Sequence, residues 1–152
     1  MLFYFKSKMQ NSDEICNNLF VGNRQSLYTP YVYNMIVNCT PSLPFPEINA
    51  HFLRVPVKDH PNNSNTMVNI LHNDGILDKI NECIINGENV LINCNQGIQR
   101  SCAVCACYLV KYHGYTPLKA VKYIKLKRPQ AFDGQVNFID AIRTFNSRKY
   151  KK

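Results

Sequence analysis

The chain has 152 residues, a length typical of one domain with a single sizeable hydrophobic core. Its formal net charge of +8 favours anionic partners such as phosphoproteins, RNA or acidic membranes but does not choose among them. Its seven cysteines show no paired spacing, and no segment has the length of a signal peptide or a membrane span. We therefore expect free thiols, a reducing cytoplasmic environment and no membrane partner.

The first part of the chain is predicted to form strands, with one helix before the last strand. Residues 1–13 are a mixed apolar and basic N-terminal segment. Four strands are predicted, near residues 19–22, 34–39, 51–57 and 89–93. Prolines between residues 41 and 46 exclude regular structure there, and residues 62–66 are predicted to be a polar loop. A helix over residues 70–84 then ends at Gly87.

The second part is predicted to be helical. An almost wholly apolar helix from Ser101 to His113 should lie at the centre of the fold. Thr116 begins the next helix as its N-cap, and the predicted buried side of that helix carries Leu118, Val121 and Ile124. The last helix places four apolar side chains on one face, Phe138, Ala141, Ile142 and Phe145. This order predicts a single α/β domain over residues 14–146, with a central mixed or parallel sheet flanked by helices, and a basic tail at residues 147–152.

The strongest functional signal is the segment from Asn93 to Ser101. Cys94 ends an apolar strand and a helix follows, so the loop between them directs its N–H groups and the positive end of the helix towards one point. A thiol in this field ionises more easily. Arg100 can fold over the same point, where its planar guanidinium matches the oxygens of a phosphate. The segment therefore predicts a nucleophile inside a phosphate-binding cradle.

This pattern resembles the signature of the cysteine-dependent phosphatases, in which a Cys is followed by five residues, an Arg and a Ser or Thr. The preceding strands resemble those of the dual-specificity phosphatases in the same order, at residues 19–23, 35–40 and 52–60. The stretch from Ala131 to Phe138 is similar to the poxvirus (vaccinia-type) members. The resemblance covers about residues 14–146. It implies the phosphatase fold, phosphorylated protein substrates, and an infected host cell or a virion as a further location.

The resemblance implies a two-step mechanism without a metal or cofactor. Cys94 attacks phosphorus as a thiolate and becomes a phosphocysteine. Arg100 and the loop amides would hold the phosphate oxygens, and Gly97 would let the backbone approach them closely. The residues of the phosphate-binding loop are Asn95, Gln96, Gly97, Ile98, Gln99 and Arg100. Ser101 would donate a hydrogen bond to the Cys94 sulfur and help it to leave in the second step.

Asp59 is the candidate general acid for the leaving oxygen, because it follows Val55-Pro56-Val57 as the family's acid follows its strand. It lies 35 positions before Cys94, a few more than is usual in the family. We expect the asparagine-rich stretch between them to absorb the extra residues as a loop. A carboxylate that only caps a turn is the alternative interpretation of Asp59.

Asn93 departs from the family, which has a His immediately before the nucleophile. That His belongs to a hydrogen-bond network that supports the loop and the reactive thiolate. Asn can donate and accept hydrogen bonds but has no cationic form, so we expect reduced activity near neutral pH. The departure also leaves open a pseudophosphatase, which would bind phosphoproteins without turnover.

The resemblance also bears on the substrate. No long N-terminal loop supplies an aromatic wall, so a shallow pocket would admit phosphotyrosine, phosphoserine and phosphothreonine. The loop interior has no Lys, which makes a phosphoinositide substrate less suitable. The alternative enzyme is an RNA 5′-triphosphatase, which suits the positive charge but usually lacks the acid matched by Asp59. Gln135 or Asn137 would orient water in the second step, or is a surface amide.

Two further expectations follow from the resemblance to members of the phosphatase family. Some members carry a Cys at the end of the strand beside that of the nucleophile, where it traps the oxidised nucleophile as a disulfide. Cys39 matches this position, and core packing is its alternative role. The viral relatives dimerise through their N-terminal segment, so residues 1–13 are a candidate dimerisation element of a homodimer.

Overall fold

Residues 9–147 and 149–150 are described by the computed structural model, and within them the chain forms a mixed sheet of five strands. The strands are β1 (Ser12–Cys16), β2 (Leu19–Gly22), β3 (Met35–Asn38), β4 (His51–Arg54) and β5 (Val90–Asn93). Their order is β1-β2-β5-β3-β4. β1 is antiparallel to β2, and the other neighbouring strands are parallel. The last strand in the sequence is therefore the central one.

Five α-helices accompany the sheet in the described part of the chain. They are α1 (Ser64–Asn73), α2 (Ile76–Ile85), α3 (Arg100–His113), α4 (Pro117–Lys127) and α5 (Ile139–Thr144). Leu19 and Val21 of β2 pack with these helices in the main core, whereas Phe20 faces a smaller cluster on the other side of the sheet. That second cluster is completed by loop residues such as Leu27 and Phe45. The predicted α/β domain with a mixed sheet is confirmed.

β5 and α3 form the centre of the fold because both are apolar almost throughout. All four residues of β5 are buried, as is every residue of α3 from Arg100 to Val110. A strand that is hydrogen-bonded on both sides and covered on both faces favours such a continuous apolar run. The loop between these two elements therefore starts at the carboxyl end of the parallel strands and is fixed at both ends.

The helical region before β5 differs from the prediction in two ways. Residues 62–66, predicted as a polar loop, form part of a 3₁₀-helix (Pro61–Asn63) and the first turn of α1. The single helix predicted over residues 70–84 is two helices, because Gly75 has a φ of 61° and interrupts the helical backbone. The extra residues before Cys94 are thus largely helical and do not form the expected loop.

The hydrophobic pattern does not predict β1 and wrongly places the buried side of α4. β1 is not predicted because this edge strand contains a single fully buried residue, Ile15. Leu118 was expected to face the core but is 63% exposed. The buried residues of α4 are Ala120, Val121 and Ile124, so its core-facing side begins one turn after its N-terminus.

The two ends of the chain lie partly outside the described residues. Residues 1–8, which are most of the candidate dimerisation segment, lie outside them, and the end of that segment enters β1. Of the predicted basic tail, residues 148, 151 and 152 also lie outside them. Tyr150 packs edge-on against the His72 ring, with their centroids 5.1 Å apart. None of the described helices is long and apolar enough to cross a membrane.

Candidate active site

Cys94 lies where β5 ends and the predicted phosphate-binding loop begins. Its side chain is 2% exposed, and its Sγ lies 3.2 Å from the Oγ of Ser101, which is fully buried in the first turn of α3. The Cys94 N–H donates to the carbonyl of Gly22 at the end of the neighbouring strand β2, at 3.3 Å. The structure therefore brings the predicted nucleophile and its predicted hydrogen-bonding partner together.

Backbone hydrogen bonds hold the carbonyl groups of the loop from outside. The Asn95 carbonyl accepts from the Arg24 N–H at 3.0 Å, and the Ile98 carbonyl accepts from the Phe132 N–H at 2.8 Å. Because the N–H of a trans peptide points away from its carbonyl, these bonds turn the following N–H groups towards the inside of the loop. Within the described residues, the N–H groups of residues 95–99 have no acceptor. The loop is thus a ring of free donors, an arrangement that binds an oxyanion.

Arg128 holds a third carbonyl of the loop, a role that the sequence analysis misses. Its side chain is fully buried, and its Nε donates to the Gly97 carbonyl at 2.7 Å. Its Nη1 donates to Oδ2 of Asp13 at 2.7 Å and to the Gln10 carbonyl at 3.0 Å. The sequence offers no signal beyond an Arg before a Pro at a helix end, because Gly97 and Asp13 are 31 and 115 positions away.

Gly97 lies where the loop meets the backbone of β2. Its φ is +66°, and a Cβ added there would lie 2.7 Å from the carbonyl carbon and oxygen of Gly22 and 2.5 Å from Nη2 of Arg128. Contacts under 3.0 Å are essentially never made by real Cβ atoms. Both the left-handed backbone and the close approach therefore require glycine.

Arg100 connects the loop to the segment that carries Asp59. The Arg100 side chain is buried, and its Nη1 donates to the carbonyl of Val57 at 2.9 Å. Its Nε has no partner within the described residues. Asp59, Cys94 and Arg100 line one cavity of about 180 Å³. The same cavity is lined by four further loop residues, Asn95, Gln96, Ile98 and Gln99.

Gln99 and Asn137 form a support for Asp59 that the sequence analysis does not assign. Asn137 Nδ2 donates to Asp59 Oδ1 at 2.8 Å. The Gln99 side chain donates from Nε2 to the Gln135 carbonyl at 2.6 Å and accepts from the Asn137 N–H at 3.0 Å. The side-chain amide of Gln99 thus fixes the segment that presents Asn137, while its backbone N–H stays among the free donors of the phosphate-binding loop. The sequence singles out Asn137 as a candidate for orienting water in the second step. Its contact with Asp59 joins positions far apart in the sequence and is therefore visible only in the structure.

Asn93 is fully buried, and its side-chain amide makes no hydrogen bond within the described residues. Its backbone carbonyl accepts from the Cys39 N–H at 2.7 Å. An unpaired buried polar group costs about 1–3 kcal/mol. The Asn93 side chain thus does not replace the hydrogen-bond network expected at this position.

Cys39 follows β3, the strand beside β5. Asn38 of β3 pairs with Asn93 of β5 in the parallel register. Cys39 and Cys94 are the residues that directly follow this pair. Burial, followed by the nearby Cys94 thiol, raises the pKa of the Cys39 thiol well above its usual value. The two strands are neighbours as expected, and a disulfide between these residues stays a prediction.

The cavity combines groups suited to displacement at a phosphate ester. The buried thiol supplies a nucleophile, and the adjacent hydroxyl of Ser101 can stabilise it as a leaving group. The guanidinium of Arg100 and the free N–H groups can compensate the charge that develops on the oxygens. The carboxyl of Asp59 can supply a proton to a leaving oxygen.

Comparisons with known proteins agree with this geometry. The sequence model of the family described as "Dual specificity phosphatase, catalytic domain" matches residues 23–148. Human "Dual specificity protein phosphatase 14" is 30% identical over 123 residues, a match that covers 76% of this chain and 60% of the human protein. The chain thus spans about 60% of the length of the first curated relatives that it matches.

A viral protein and a solved structure extend the comparison. The protein named "Putative tyrosine phosphatase 123R" of Invertebrate iridescent virus 6 is 27% identical over 134 residues, covering 87% of this chain and 89% of the viral one. The crystal structure of human DUSP28 superposes with a TM-score of 0.80 at 23% identity, covering 91% of this chain and 95% of that chain. The likeness to DUSP28 shows the fold alone, and the viral match agrees with the viral type of the resemblance.

Replacing Gly97 with alanine should abolish binding of an oxyanion, because the added Cβ would press on Gly22 and displace the ring of free N–H groups. Isothermal titration calorimetry with orthovanadate measures this loss, and thermal unfolding shows whether the variant is folded. Gly87→Ala is the matched control, since Gly87 also has a positive φ (+77°) but open space where a Cβ would lie. The control should lose about 1–2 kcal/mol of stability and keep its vanadate affinity. Unchanged vanadate binding by folded Gly97→Ala protein would contradict the packing described above.

Proposed function

The chain belongs to the dual-specificity phosphatase family, and from that premise we propose that it hydrolyses phosphotyrosine, phosphoserine and phosphothreonine in proteins. The observation that carries the proposal is the contact of 3.2 Å between Cys94 and Ser101 beneath a loop of unpaired N–H groups. Arg100 and Asp59 line the same cavity. A nucleophile, an oxyanion cradle and an acid are therefore within reach of one phosphate group.

In the first step the Cys94 thiolate attacks phosphorus, and the bond from phosphorus to the leaving oxygen breaks. The Arg100 guanidinium and the free N–H groups bind the three equatorial oxygens, where negative charge develops. Asp59 gives its proton to the leaving phenoxide or alkoxide. Asn137 holds the Asp59 carboxyl through their hydrogen bond of 2.8 Å. The dephosphorylated side chain leaves, and a phosphocysteine remains.

In the second step water attacks the phosphocysteine, and the Asp59 carboxylate accepts the proton of that water. The Ser101 hydroxyl donates a hydrogen bond to the departing sulfur, so that Cys94 leaves as a thiolate. Inorganic phosphate is the product, and the enzyme returns to its starting state. Arg100 and the loop donors supply the positive field throughout, so the mechanism needs neither a metal nor a cofactor.

Dual specificity is supported by the wall of the cavity. Of the residues that the structure describes, those lining the cavity include no aromatic side chain, and the cavity volume is about 180 Å³. A deep aromatic wall would admit the long phosphotyrosine side chain and keep the shorter phosphoserine and phosphothreonine away from the sulfur. Without such a wall, all three esters can reach Cys94.

Two alternatives remain as weaker proposals. An RNA 5′-triphosphatase is favoured by the net charge of +8. A triphosphate has a better leaving group than a monoester, however, and has less need of the acid that Asn137 holds in the cavity. A pseudophosphatase is favoured by the unpaired amide of Asn93. A protein that only binds phosphoproteins would require neither the nucleophile Cys94 nor the acid Asp59.

We further infer that the protein acts on phosphorylated proteins in a reducing compartment. Its seven cysteines are all free thiols. Its viral relative makes an infected host cell a fitting location. A homodimer formed through residues 1–13 is a proposal that rests on the resemblance to viral relatives.

Phosphate release from a phosphotyrosine peptide, a phosphothreonine peptide and a triphosphate-ended RNA tests the proposal. Wild-type protein should hydrolyse both peptides, and Cys94→Ser should abolish turnover because the hydroxyl is a much weaker nucleophile. Asp59→Asn should lower kcat on the peptides about 10²–10⁴-fold through loss of the acid. Asp74→Asn, at an exposed carboxylate between α1 and α2, is the matched control and should leave kcat unchanged. Release from RNA alone would favour the triphosphatase, and peptide binding without release would favour the pseudophosphatase.

Replacing Asn93 with histidine should raise the rate of an aryl phosphate substrate near neutral pH about tenfold, equivalent to about 1.4 kcal/mol in the barrier. The imidazole offers N–H donors and a cationic form where the Asn93 amide is unpaired, and both favour the thiolate. The rate of Cys94 alkylation by iodoacetamide should rise in parallel. Asn93→Gln keeps an amide and should give neither gain. Equal alkylation rates in the histidine variant and the wild type would show that this position does not limit thiolate formation.

A reversible disulfide between Cys39 and Cys94 is a further proposal for this site. Peroxide would oxidise the Cys94 thiolate to a sulfenic acid, and the Cys39 thiolate would attack that sulfur and release water. Neighbouring strands are about 4.8 Å apart, which lies within the usual separation of disulfide-bonded Cα atoms. Because burial raises the pKa of Cys39, we expect this attack to be slow.

Peptide mapping without reductant after mild peroxide treatment should recover a peptide pair joined through Cys39 and Cys94. Cys39→Ser should lose both this pair and the recovery of activity on adding a thiol. Cys105→Ser is the matched control, because Cys105 is equally buried in α3. Recovery of Cys94 as sulfinic acid alone in the wild type would exclude the proposal.

A further inference from the structure

α4 exposes two leucines that the core does not use. Leu118 is 63% exposed and Leu126 is 80% exposed, although both lie on a helix that buries Ala120, Val121 and Ile124. Two depressions flank Leu118. One, of about 410 Å³, runs between α4 and α5. The other, of about 330 Å³, lies along α4 and reaches Leu126.

The walls of the two depressions are mainly apolar. The depression between α4 and α5 is lined by Leu118, Val121, Val136 and Ile139, together with Arg143, Asn146 and the first residues of α4. The depression along α4 is lined by Thr116, Leu118, Lys119, Lys122, Tyr123 and Leu126. We call the two together the α4 groove. A concave apolar surface of this size accepts side chains of the size of leucine.

The α4 side of the groove is positively charged, and on α5 the lining residue Arg143 is paired with the exposed Asp140. From Gly114 to Phe132 the chain has no Asp or Glu, and α4 carries four lysines, Lys119, Lys122, Lys125 and Lys127. Two of these ammonium groups lie over tyrosine rings, with Lys119 Nζ 4.3 Å from the centroid of Tyr115. The contact with Tyr115 keeps the Lys119 ammonium beside the groove, and Lys122 also lines it. The surface therefore complements a partner that combines acidic and apolar side chains.

The α4 groove is continuous with the active site along the chain. Val136 lines the groove, and the next residue, Asn137, holds Asp59. The preceding Gln135 carbonyl is bonded to Gln99 of the phosphate-binding loop. The same short stretch of chain therefore contributes to the active site and to the groove.

We propose that the α4 groove is a docking site for a segment of the phosphoprotein substrate that carries acidic residues and leucine-sized side chains. The proposal rests on the phosphatase function proposed above. An anionic membrane would also meet the lysines, but a lipid surface does not fill recesses that are shaped for side chains. The groove would add affinity for the substrate protein that a cavity recognising phosphate alone cannot supply.

Fluorescence anisotropy with a labelled, unphosphorylated peptide of alternating Glu and Leu, about 12 residues long, tests docking separately from catalysis. Wild-type protein should bind it, and Leu118→Ser and Lys122→Ala should each weaken binding about tenfold. Ile85→Ser on α2 is the matched control, since Ile85 is 72% exposed and lies outside the groove. A peptide with Lys in place of Glu should not bind. Equal affinity of the wild type and both groove variants would overturn the proposal.

Kinetics on a phosphotyrosine peptide with and without the Glu-Leu segment provides the second test. Leu118→Ser should raise KM about tenfold for the extended peptide and leave kcat/KM for a small aryl phosphate unchanged. Binding of the Glu-Leu peptide by Cys94→Ser protein is measured without turnover, so a failure of the phosphatase function would leave this docking result intact. Binding to phosphatidylserine vesicles but not to the peptide would overturn the proposal in favour of a membrane surface.

Discussion

The active site depends on one constraint: the carbonyl groups of the phosphate-binding loop are bonded outwards, so that its N–H groups stay free. The carbonyls of Asn95, Gly97 and Ile98 each accept a hydrogen bond from outside the loop. Unpaired donors in such a loop would cost about 1–3 kcal/mol each if they were fully desolvated. A flexible loop would turn to satisfy them. A rigid frame keeps them available for an oxyanion, which is the preorganisation that electrostatic catalysis requires.

Much of that frame comes from one stretch of chain, residues 128–137. Arg128 bonds the Gly97 carbonyl and the Phe132 N–H bonds the Ile98 carbonyl, so this stretch holds the loop at two points. Further along it, Asn137 holds Asp59. Arg128 is in turn neutralised by Asp13 of β1, and removing one partner of a buried ion pair typically costs about 3–5 kcal/mol. An edge strand far from Cys94 in sequence is therefore part of the support of the nucleophile.

The sequence predicted what is local and missed what is long-range. The segment from Cys94 to Ser101 contains its own strand end, turn and helix start, so its geometry follows from consecutive residues. The contacts of Arg128 and Gln99 join positions tens of residues apart, and no periodic pattern in the sequence predicts them. The single helix predicted before β5 failed because a pattern of apolar residues continues across Gly75 although the backbone does not. Leu118 was misplaced because a helical stripe shows which residues share a side and not where the core ends.

The same frame limits what the cavity can recognise. Among the described residues, its lining consists of Asp59 and residues 94–100 of the loop without Gly97, and these residues offer no broad surface for distinguishing one substrate protein from another. Selectivity for one substrate protein must then come from surfaces outside the cavity. Binding at those surfaces raises the affinity for the substrate without altering the chemical step. Two consecutive residues connect the two places: the Gln135 carbonyl is bonded to Gln99 of the phosphate-binding loop, and Val136 lines the α4 groove. Recognition at the groove and catalysis at Cys94 would therefore rest on one stretch of chain, whose rigid contacts leave the geometry of the active site unchanged when the groove is occupied.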